Sequence, residues 1–287
     1  MTEADDVLIF EFAGSRLAYT LFGNGPATLL AFHGFGQTNR VFQPLAATLG
    51  DRFTILAIDL FLHGNSRYQS PQAGNQLLTK TDWQRLIGTF LRTRNVDRFS
   101  LMGYSLGGRF ALVTAEAFAD RLNELMLIAP DGITRSFWYR LATGSGAGRG
   151  LFRFFIRRLP LLHSLGHGLV RLRLLNRTAM RFAEISLATP EQRDLVYQAW
   201  TQFRLIRPNL TKVSAELNQR PVHVHLFTGA FDRIVPGWYV LPLTDQLRRY
   251  ELTVLKTGHN HLIELAGNHL AQRPLQNLPQ TGDGNED

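Results

Sequence analysis

The sequence predicts an α/β protein whose central sheet is mostly parallel. Short apolar runs typical of strands alternate with runs of helical periodicity along most of the chain. A Gly-x-Ser-x-Gly motif at 103–107 stands between a run typical of a strand and a run typical of a helix. From 133 to 217 the alternation stops and the pattern is helical. These three observations favour one α/β domain that carries a helical insertion.

The composition limits the classes of protein to consider. The chain has 287 residues, enough for one large domain, and 45% of them are hydrophobic. It contains no cysteine, which excludes disulfides, a thiol nucleophile and thiolate metal ligands and fits a reducing compartment. Residues 1–6 lack the order of a signal peptide, and no window of about 20 residues is free of charged and polar breaks. We therefore expect a cytoplasmic protein without a membrane-spanning helix.

The positive charge is concentrated in the insertion. The segment 135–183 contains ten arginines and no Asp, Glu or Lys. Ten positive charges there, against a formal net charge of +8 for the whole chain, leave the rest of the chain at −2. Because the basicity belongs to one segment, we expect no nucleic-acid binding.

The amino-terminal part predicts four strands. Val7–Phe12 and Arg16–Phe22 indicate a hairpin at the edge of the sheet. Ala27–Phe32 is fully apolar, as is typical of a strand buried on both faces, and the glycine-containing turn 33–36 follows it. Phe53–Ile58 is the next apolar strand.

The middle of the chain predicts two helices and two strands around the serine motif. Apolar residues at helical spacing predict a helix over Thr81–Arg94. Phe99–Met102 is a strand that leads into the motif, and Phe110–Ala119 is the helix that follows it. Asn123–Ala129 is another strand. Strands and helices that alternate at this spacing predict parallel pairing with right-handed crossovers.

After the insertion the alternation resumes and completes the sheet with two more strands, eight in all. Pro221–Thr228 and Tyr250–Leu255 are strands, and Gly237–Arg249 and Leu262–Ala271 are helices. We predict a core formed by residues 7–132 and 218–272, the insertion at 133–217, and a disordered polar tail at 273–287.

The serine motif has the form that a strained turn requires. Only small residues fit at Gly103 and Gly107, and the turn exposes Ser105 at the top of the sheet. The helix that begins just after Ser105 directs backbone N–H groups to a place where negative charge can develop on a substrate.

Four motifs in chain order resemble those of the α/β-hydrolase family. His33-Gly34-Phe35-Gly36 resembles the oxyanion loop, and 103–107 resembles the nucleophile elbow. The segment 229–236 resembles the acid loop, and Gly258-His259 with Glu264 is similar to the histidine loop. The resemblance covers about residues 7–272, and the order Ser, Asp, His is the one that this fold uses.

One turn departs from the family pattern. Many relatives with a cap read Asp-x-Pro-Gly-His-Gly after the fourth strand, whereas this chain has Asp59-Leu60-Phe61-Leu62-His63-Gly64. The loss of the proline and the first glycine alters a turn near the mouth of the expected pocket, so analogy with the substrates of those relatives is weakened.

The resemblance implies a serine nucleophile with a histidine base. A serine hydroxyl needs a base within hydrogen-bond reach, and His259 matches the family position for Ser105. His261 is the competitor, and otherwise packs or hydrogen-bonds nearby. His33 and His63 lie in turn motifs, where structural hydrogen bonds are expected. The alternating pair His223 and His225 is expected in the core, and no nearby carboxylate completes a metal site there.

The acid and the oxyanion donors are assigned in the same way. Asp232 is the expected partner of the histidine, with Asp131 as the alternative because it also follows a strand. Asp59 is expected to hold the turn after its strand. The backbone N–H groups of Phe35 and Leu106 are the expected oxyanion donors.

The resemblance implies a two-step hydrolysis through an acyl-enzyme, without a cofactor. The expected substrate is a small-molecule carboxylic ester, or a thioester, with an apolar acyl group. Carbon–carbon bond hydrolysis by the same three residues and ligand binding without turnover stay open as alternatives.

The insertion corresponds to the place where relatives carry a helical cap. Two sets of arginines, each spaced by four, mark stripes on helices, namely Arg149, Arg153 and Arg157 and then Arg173, Arg177 and Arg181. The opposing apolar side is formed by Leu151, Phe154, Phe155 and Leu159. Three interpretations stay open: a solvated basic face with the apolar side on the pocket, a face that rests on anionic lipid, and arginines that select an anionic substrate.

Overall fold

The fold is an eight-stranded, mostly parallel sheet with helices on both faces, as the sequence predicts. It is seen in a computed structural model that describes residues 7–70, 77–134, 137–158 and 187–273. The strands are β1 (Leu8–Phe12), β2 (Ser15–Phe22), β3 (Ala27–Phe32), β4 (Phe53–Ile58), β5 (Phe99–Tyr104), β6 (Leu122–Ile128), β7 (His223–Gly229) and β8 (Glu251–Leu255). Their order across the sheet is β1-β2-β4-β3-β5-β6-β7-β8.

The antiparallel pairs lie at one edge of the sheet. The hairpin of β1 and β2 pairs antiparallel, and β2 also runs antiparallel to β4. From β4 to β8 every neighbouring pair is parallel. The carboxyl ends of β5, β7 and β8 therefore lie at the same edge, and the loops that follow them meet there.

The helices of the described segments are α1 (Leu45–Leu49), α2 (Lys80–Thr93), α3 (Leu106–Phe118), α4 (Phe137–Gly144), α5 (Gly146–Arg157), α6 (Pro190–Gln202), α7 (Leu210–Asn218), α8 (Leu241–Thr244) and α9 (Leu262–Ala271). Among them, none combines the length and the apolar content that crossing a bilayer requires.

The strand side chains alternate between two apolar clusters, one on each face of the sheet. Leu30 and Phe32 of β3 belong to the cluster under α2 and α3, which holds Trp83 and Phe110. Leu29 belongs to the cluster on the opposite face, under α1 and α9. Burial on both faces explains why the central strands read as continuous apolar runs.

The helix predicted over Gly237–Arg249 is wrong. The segment forms a 3-10 turn at Gly237–Val240, and α8 then starts at Leu241 and ends at Thr244. Pro242 has no backbone N–H to continue a helix from the preceding turn, so the helix restarts around it. Beyond α8, the Arg248 N–H donates to the side chain of Asn218 (2.8 Å), which holds this connection against α7.

The insertion is described in two pieces. α4 and α5 form its first part and α6 belongs to its second, while α7 contributes Val213 and Leu217 to the cluster under α2 and α3. The second set of arginines and Leu159 lie outside the described residues, as does the predicted tail beyond Arg273. The limits of the core and the insertion stay predictions.

Candidate active site

Ser105 lies in the strained turn that the motif predicts. β5 ends at Tyr104 and α3 begins at Leu106, and Ser105 between them has φ 51° and ψ −116°. A non-glycine residue in the left-handed region carries strain, which neighbouring contacts must hold. The Ser105 N–H donates to the carbonyl of Ile128 (3.0 Å), and its carbonyl accepts from the N–H groups of Gly108 (2.9 Å) and Asp131 (2.8 Å).

The two flanking glycines are required by the lack of space. A Cβ added at Gly107 would lie 2.0 Å from the carbonyl oxygen of Phe32, and one added at Gly103 would lie 2.6 Å from the carbonyl oxygen of Gly107. Both obstacles are backbone atoms, which cannot move aside as a flexible side chain can. The prediction that only a very small residue fits at these two positions is confirmed.

The structure brings three of the predicted side chains together. The Ser105 hydroxyl lies 3.0 Å from Nε2 of His259, and Nδ1 of His259 lies 2.6 Å from Oδ2 of Asp232. Asp232 follows β7 and His259 follows β8, so both reach Ser105 from the same edge of the sheet. The three form a continuous chain of hydroxyl, imidazole and carboxylate.

Backbone contacts fix the carboxylate of Asp232. Its Oδ1 accepts from the N–H groups of Ile234 (2.9 Å) and Val235 (3.0 Å), and its Oδ2 is left for His259. The side chain is fully buried. Because Oδ2 faces Nδ1, the imidazole proton belongs on Nδ1 and the lone pair on Nε2 faces the Ser105 hydroxyl.

Tyr104 supports the histidine loop, a contact that the sequence analysis did not identify. Its hydroxyl donates to the carbonyl of His259 (2.9 Å), and its ring lies against the imidazole with centroids 5.1 Å apart. Burial and the nearby Asp232 raise the pKa of the Tyr104 hydroxyl, so it stays a donor. The signal was available, because Tyr104 is the residue directly before the serine in the motif.

The side chains of the alternative acid and base make other contacts than those of the three-residue series. Asp131 forms an ion pair with Arg109, and its Oδ1 accepts from the Gly132 N–H (2.6 Å). His261 is exposed directly before α9, so it does not pack as expected.

Arg109 joins the nucleophile helix to the insertion. It lies on α3, four residues after Ser105, and Nη1 donates to the hydroxyl of Tyr139 on α4 (2.8 Å). Burial opposes the charge, but Asp131 and Tyr139 outweigh it and raise the pKa of Arg109. The buried guanidinium therefore stays charged. It contacts both Asp131, in the loop after β6, and Tyr139 of α4.

Two histidines hold the loop that carries Phe35. Nε2 of His33 accepts from the Leu60 N–H (3.0 Å) and Nε2 of His63 accepts from the Gly36 N–H (3.0 Å). Burial lowers the pKa of both rings, and burial together with repulsion from His63 brings that of His33 to about 3. Their predicted structural role is confirmed, and it requires neutral rings.

In the turn after β4, a residue other than glycine adopts the left-handed backbone conformation. Leu62, at the position of the family's first glycine, has φ 69°. Asp59 holds this turn as predicted, because its carboxylate accepts from the N–H groups of Asn39 (2.7 Å) and Asn65 (3.1 Å). The departure in sequence therefore leaves a tight turn in place.

His223 and His225, the alternating pair on β7, differ in burial. His225 is buried, and burial together with Arg273 lowers its pKa to about 4. His223 is exposed at the start of β7, so its predicted place in the core is wrong. Strand alternation puts both rings on one face, but β7's first residue lies at the rim.

The Phe35 and Leu106 N–H groups border the same space as Ser105. Within the described segments, neither N–H donates a hydrogen bond to another group. Both residues line a cavity of about 400 Å³ with the Ser105 side chain in its wall. Two unpaired N–H groups beside a hydroxyl can stabilise an oxygen that gains negative charge.

This cavity is mostly apolar, and the insertion supplies much of its wall. Phe152 and Ile156 of α5 and Val196 and Trp200 of α6 line it. A larger cavity of about 500 Å³ lies at the amino ends of β6, β7 and β8, beside Arg52 and other charged groups, and contains none of the three contacting side chains.

One expectation for the insertion is wrong. The first of the three interpretations places Leu151, Phe154 and Phe155 on the pocket, but all three are exposed. The face of α5 toward the cavity is formed by Phe152 and Ile156, which are four residues apart and therefore lie on one side of the helix.

A hydroxyl, an imidazole and a carboxylate in series at the carboxyl edge of this sheet define an α/β protein with a serine–histidine–aspartate site. The chain belongs to the alpha/beta hydrolase family, whose model matches residues 29–269.

Curated relatives match part of the chain. An uncharacterized protein from Mycobacterium tuberculosis is 32% identical over 151 residues, which cover 52% of this chain and 42% of that protein. The pimeloyl-acyl-carrier-protein methyl ester esterase of Nitrosomonas europaea is 32% identical over 118 residues, covering 40% of this chain and 42% of the esterase. Each match spans less than half the length of the relative.

Among solved structures, the enol-lactonase from Burkholderia xenovorans LB400 has the same fold. It superposes with a TM-score of 0.63 and 17% identity over 92% of this chain and 96% of that chain.

Proposed function

We propose that this protein is a serine hydrolase that cleaves carboxylic esters with an apolar acyl group through an acyl-enzyme. The observation that carries the proposal is the contact series from Ser105 through His259 to Asp232 at the wall of an apolar cavity. The named activities of the esterase and the lactonase described above, both on ester bonds, agree with it.

In the first step the Ser105 oxygen attacks the ester carbonyl. His259 takes the hydroxyl proton on Nε2, and Asp232 stabilises the imidazolium that forms. The carbonyl oxygen becomes an oxyanion between the N–H groups of Phe35 and Leu106, each worth on the order of 10² in rate. The tetrahedral intermediate then collapses, the alkoxide takes the proton from His259, and the alcohol leaves.

In the second step water releases the acid. His259 removes a proton from a water molecule, whose oxygen attacks the acyl carbonyl. Collapse of the second tetrahedral intermediate breaks the bond to the Ser105 oxygen, which takes the proton back from His259. At the end of the cycle Ser105 carries its hydroxyl proton again and His259 is neutral. The proposed steps use only these side chains and water, without a cofactor.

Fluorophosphonate labelling tests the nucleophile and its base. We expect the wild-type protein to be labelled, and the Ser105→Ala and His259→Ala variants to lose labelling. His261→Ala is the matched control, because it removes an exposed imidazole two residues away, and it should be labelled like the wild type. Labelling that persists in Ser105→Ala would refute the assignment.

Turnover tests the ester specificity separately. We expect hydrolysis of p-nitrophenyl esters in a series from acetate to dodecanoate, with an optimum set by the volume of the apolar cavity. Labelling of Ser105 without turnover of any ester in the series would favour carbon–carbon bond hydrolysis or ligand binding instead.

A further inference from the structure

α5 has one face in the cavity and one face in solvent. Its inner face contributes Phe152 and the buried Ile156 to the cavity wall. Its outer face carries three large apolar side chains, Leu151, Phe154 and Phe155, which are 53%, 50% and 45% exposed. Successive residues of a helix are 100° apart, so these three fall within one arc of about 100°. Among the described residues, these three side chains belong to neither apolar cluster of the core.

Arginines lie beside this apolar arc and within it. Arg153 and Arg157 are exposed on one flank, and Arg158 lies with its guanidinium 4.7 Å above the ring of Phe154. Arg153 rests over the ring of Tyr197 at 5.6 Å. The segment 137–158 contains no Asp, Glu or Lys. Within the described residues, no carboxylate pairs with any of these three arginines.

The same arginines border an open groove. Its volume is about 430 Å³, and the described residues that line it are Gly150, Arg153, Phe154, Arg157 and Arg158. Arginine binds phosphate through a planar, bidentate guanidinium group, so a groove with three arginines in its wall is suited to phosphate.

We propose that the outer face of α5 docks on a bilayer that contains anionic lipid. Leu151, Phe154 and Phe155 enter the boundary between headgroups and acyl chains, and Arg153, Arg157 and Arg158 contact lipid phosphates. A bilayer offers negative charge and an apolar interior side by side. This matches exposed phenylalanines next to arginines that have no carboxylate partner in the described part of the chain.

Docking in this orientation brings the cavity close to the lipid. The docked face and the cavity wall are two sides of one helix, roughly 130° apart around its axis and less than the helix diameter of about 10 Å from each other. If the chain is an ester hydrolase as proposed above, this orientation favours substrates that partition into membranes. The docking itself does not depend on that function.

Vesicle co-sedimentation of the full-length protein tests the proposal. The vesicles are phosphatidylcholine alone, or phosphatidylcholine with about 30% phosphatidylglycerol, at about 50 and 500 mM NaCl. We expect binding to the anionic vesicles, weakened by salt, and little binding to the neutral ones. Arg153→Glu/Arg157→Glu should weaken binding at least about tenfold, because each basic residue contributes several-fold.

A matched control separates this face from total charge. Arg85→Glu/Arg92→Glu changes the net charge by the same amount on exposed positions of α2, and it should bind within about twofold of the wild type. Equal loss in both double variants would overturn the proposal, since the binding would then follow net charge alone.

Replacement of the two phenylalanines tests the apolar part. Phe154→Ser/Phe155→Ser should reduce the binding that remains at high salt and leave the thermal midpoint unchanged. A clear fall in the midpoint would show that the chain itself covers this face, and would overturn the proposal. The proposal would also be overturned if an immobilised acidic protein retained this protein while anionic vesicles did not bind it.

Discussion

Asp232 and His259 meet at 2.6 Å between Oδ2 and Nδ1, although 27 positions separate them in the chain. The other oxygen of Asp232 accepts from two backbone N–H groups, so the carboxylate cannot rotate without losing them. This contact decides which nitrogen of His259 carries the proton, and thereby which one faces Ser105.

Replacement of the carboxylate by an amide should remove most of the activity. Asp232→Asn has nearly the same shape, but its amide group cannot both accept from Nδ1–H and keep the two backbone contacts. We expect kcat for ester hydrolysis to fall by about 10² to 10⁴, with KM little changed. Steady-state kinetics with a p-nitrophenyl ester measures both parameters.

Asp131→Asn is the matched control for this prediction. Asp131 pairs with Arg109 and not with His259, so we expect kcat to stay within about tenfold of the wild type. A larger loss of kcat in Asp131→Asn than in Asp232→Asn would assign the acid to Asp131 and contradict the proposed site.

The serine turn should not tolerate even one methyl group. In Gly107→Ala the new Cβ would lie 2.0 Å from a backbone oxygen of Phe32, and we expect a loss of more than about 2 kcal/mol in the free energy of unfolding. Gly150→Ala is the control, because its Cβ meets nothing within 4 Å in the interior of α5. It should stabilise the protein by about 0.5–1 kcal/mol.

Urea unfolding followed by circular dichroism measures both glycine variants. A Gly107→Ala protein as stable as the wild type would show that the turn can relax, and would weaken the argument that the serine is held by a lack of space.

Acid should destabilise the protein through His33 and His63. Burial lowers the pKa of His33 from 6.5 to about 3 and lowers that of His63. At His33 the unfolded chain therefore binds a proton that the folded chain does not bind, between about pH 6.5 and 3. The stabilisation is complete above about pH 6.5 and is lost as the pH falls, by up to roughly 1.4 kcal/mol per pH unit for His33, and the lowered pKa of His63 acts in the same direction.

Thermal midpoints from pH 7.5 to 4.5 test this effect. His63→Gln keeps an acceptor for the Gly36 N–H without a titratable group, so its midpoint should fall less steeply with pH than that of the wild type. The same slope in both proteins would assign the acid sensitivity to other groups, among them His225, whose pKa is also lowered.

Replacement of Arg109 by methionine or by lysine should lower the free energy of unfolding. Arg109→Met leaves the Asp131 carboxylate and the Tyr139 hydroxyl without their donor, and we expect a loss of about 1–3 kcal/mol in the free energy of unfolding. A lysine presents a single ammonium group, which cannot make both contacts in the same geometry. Urea unfolding of Arg109→Met and Arg109→Lys measures this, and full stability of Arg109→Lys would contradict it.

Several features were predictable from the sequence because they depend on local requirements. The serine turn needs glycines at 103 and 107, and strands buried on both faces read as continuous apolar runs. These patterns predicted the eight strands and the fold class. With the order of the four loop motifs they also favoured Ser105, His259 and Asp232, while His261 and Asp131 stayed as alternatives.

Other features depended on contacts between distant segments. Asp131 and Asp232 both follow strands, and the acid-loop motif favours Asp232. The contacts that decide between them are those of Asp232 with His259 and of Asp131 with Arg109. The exposure of Phe154 and Phe155 likewise follows from tertiary packing, because Phe152 and Ile156 on another side of α5 line the cavity.

The sequence by itself therefore determined the sheet, the strained serine turn and the candidates for the site, because steric limits and apolar periodicity act over a few residues. Only the tertiary structure decided which carboxylate contacts the imidazole and which side of α5 faces solvent. These choices depend on distances between groups far apart in the chain, and such distances exist only after the sheet has brought its loops together.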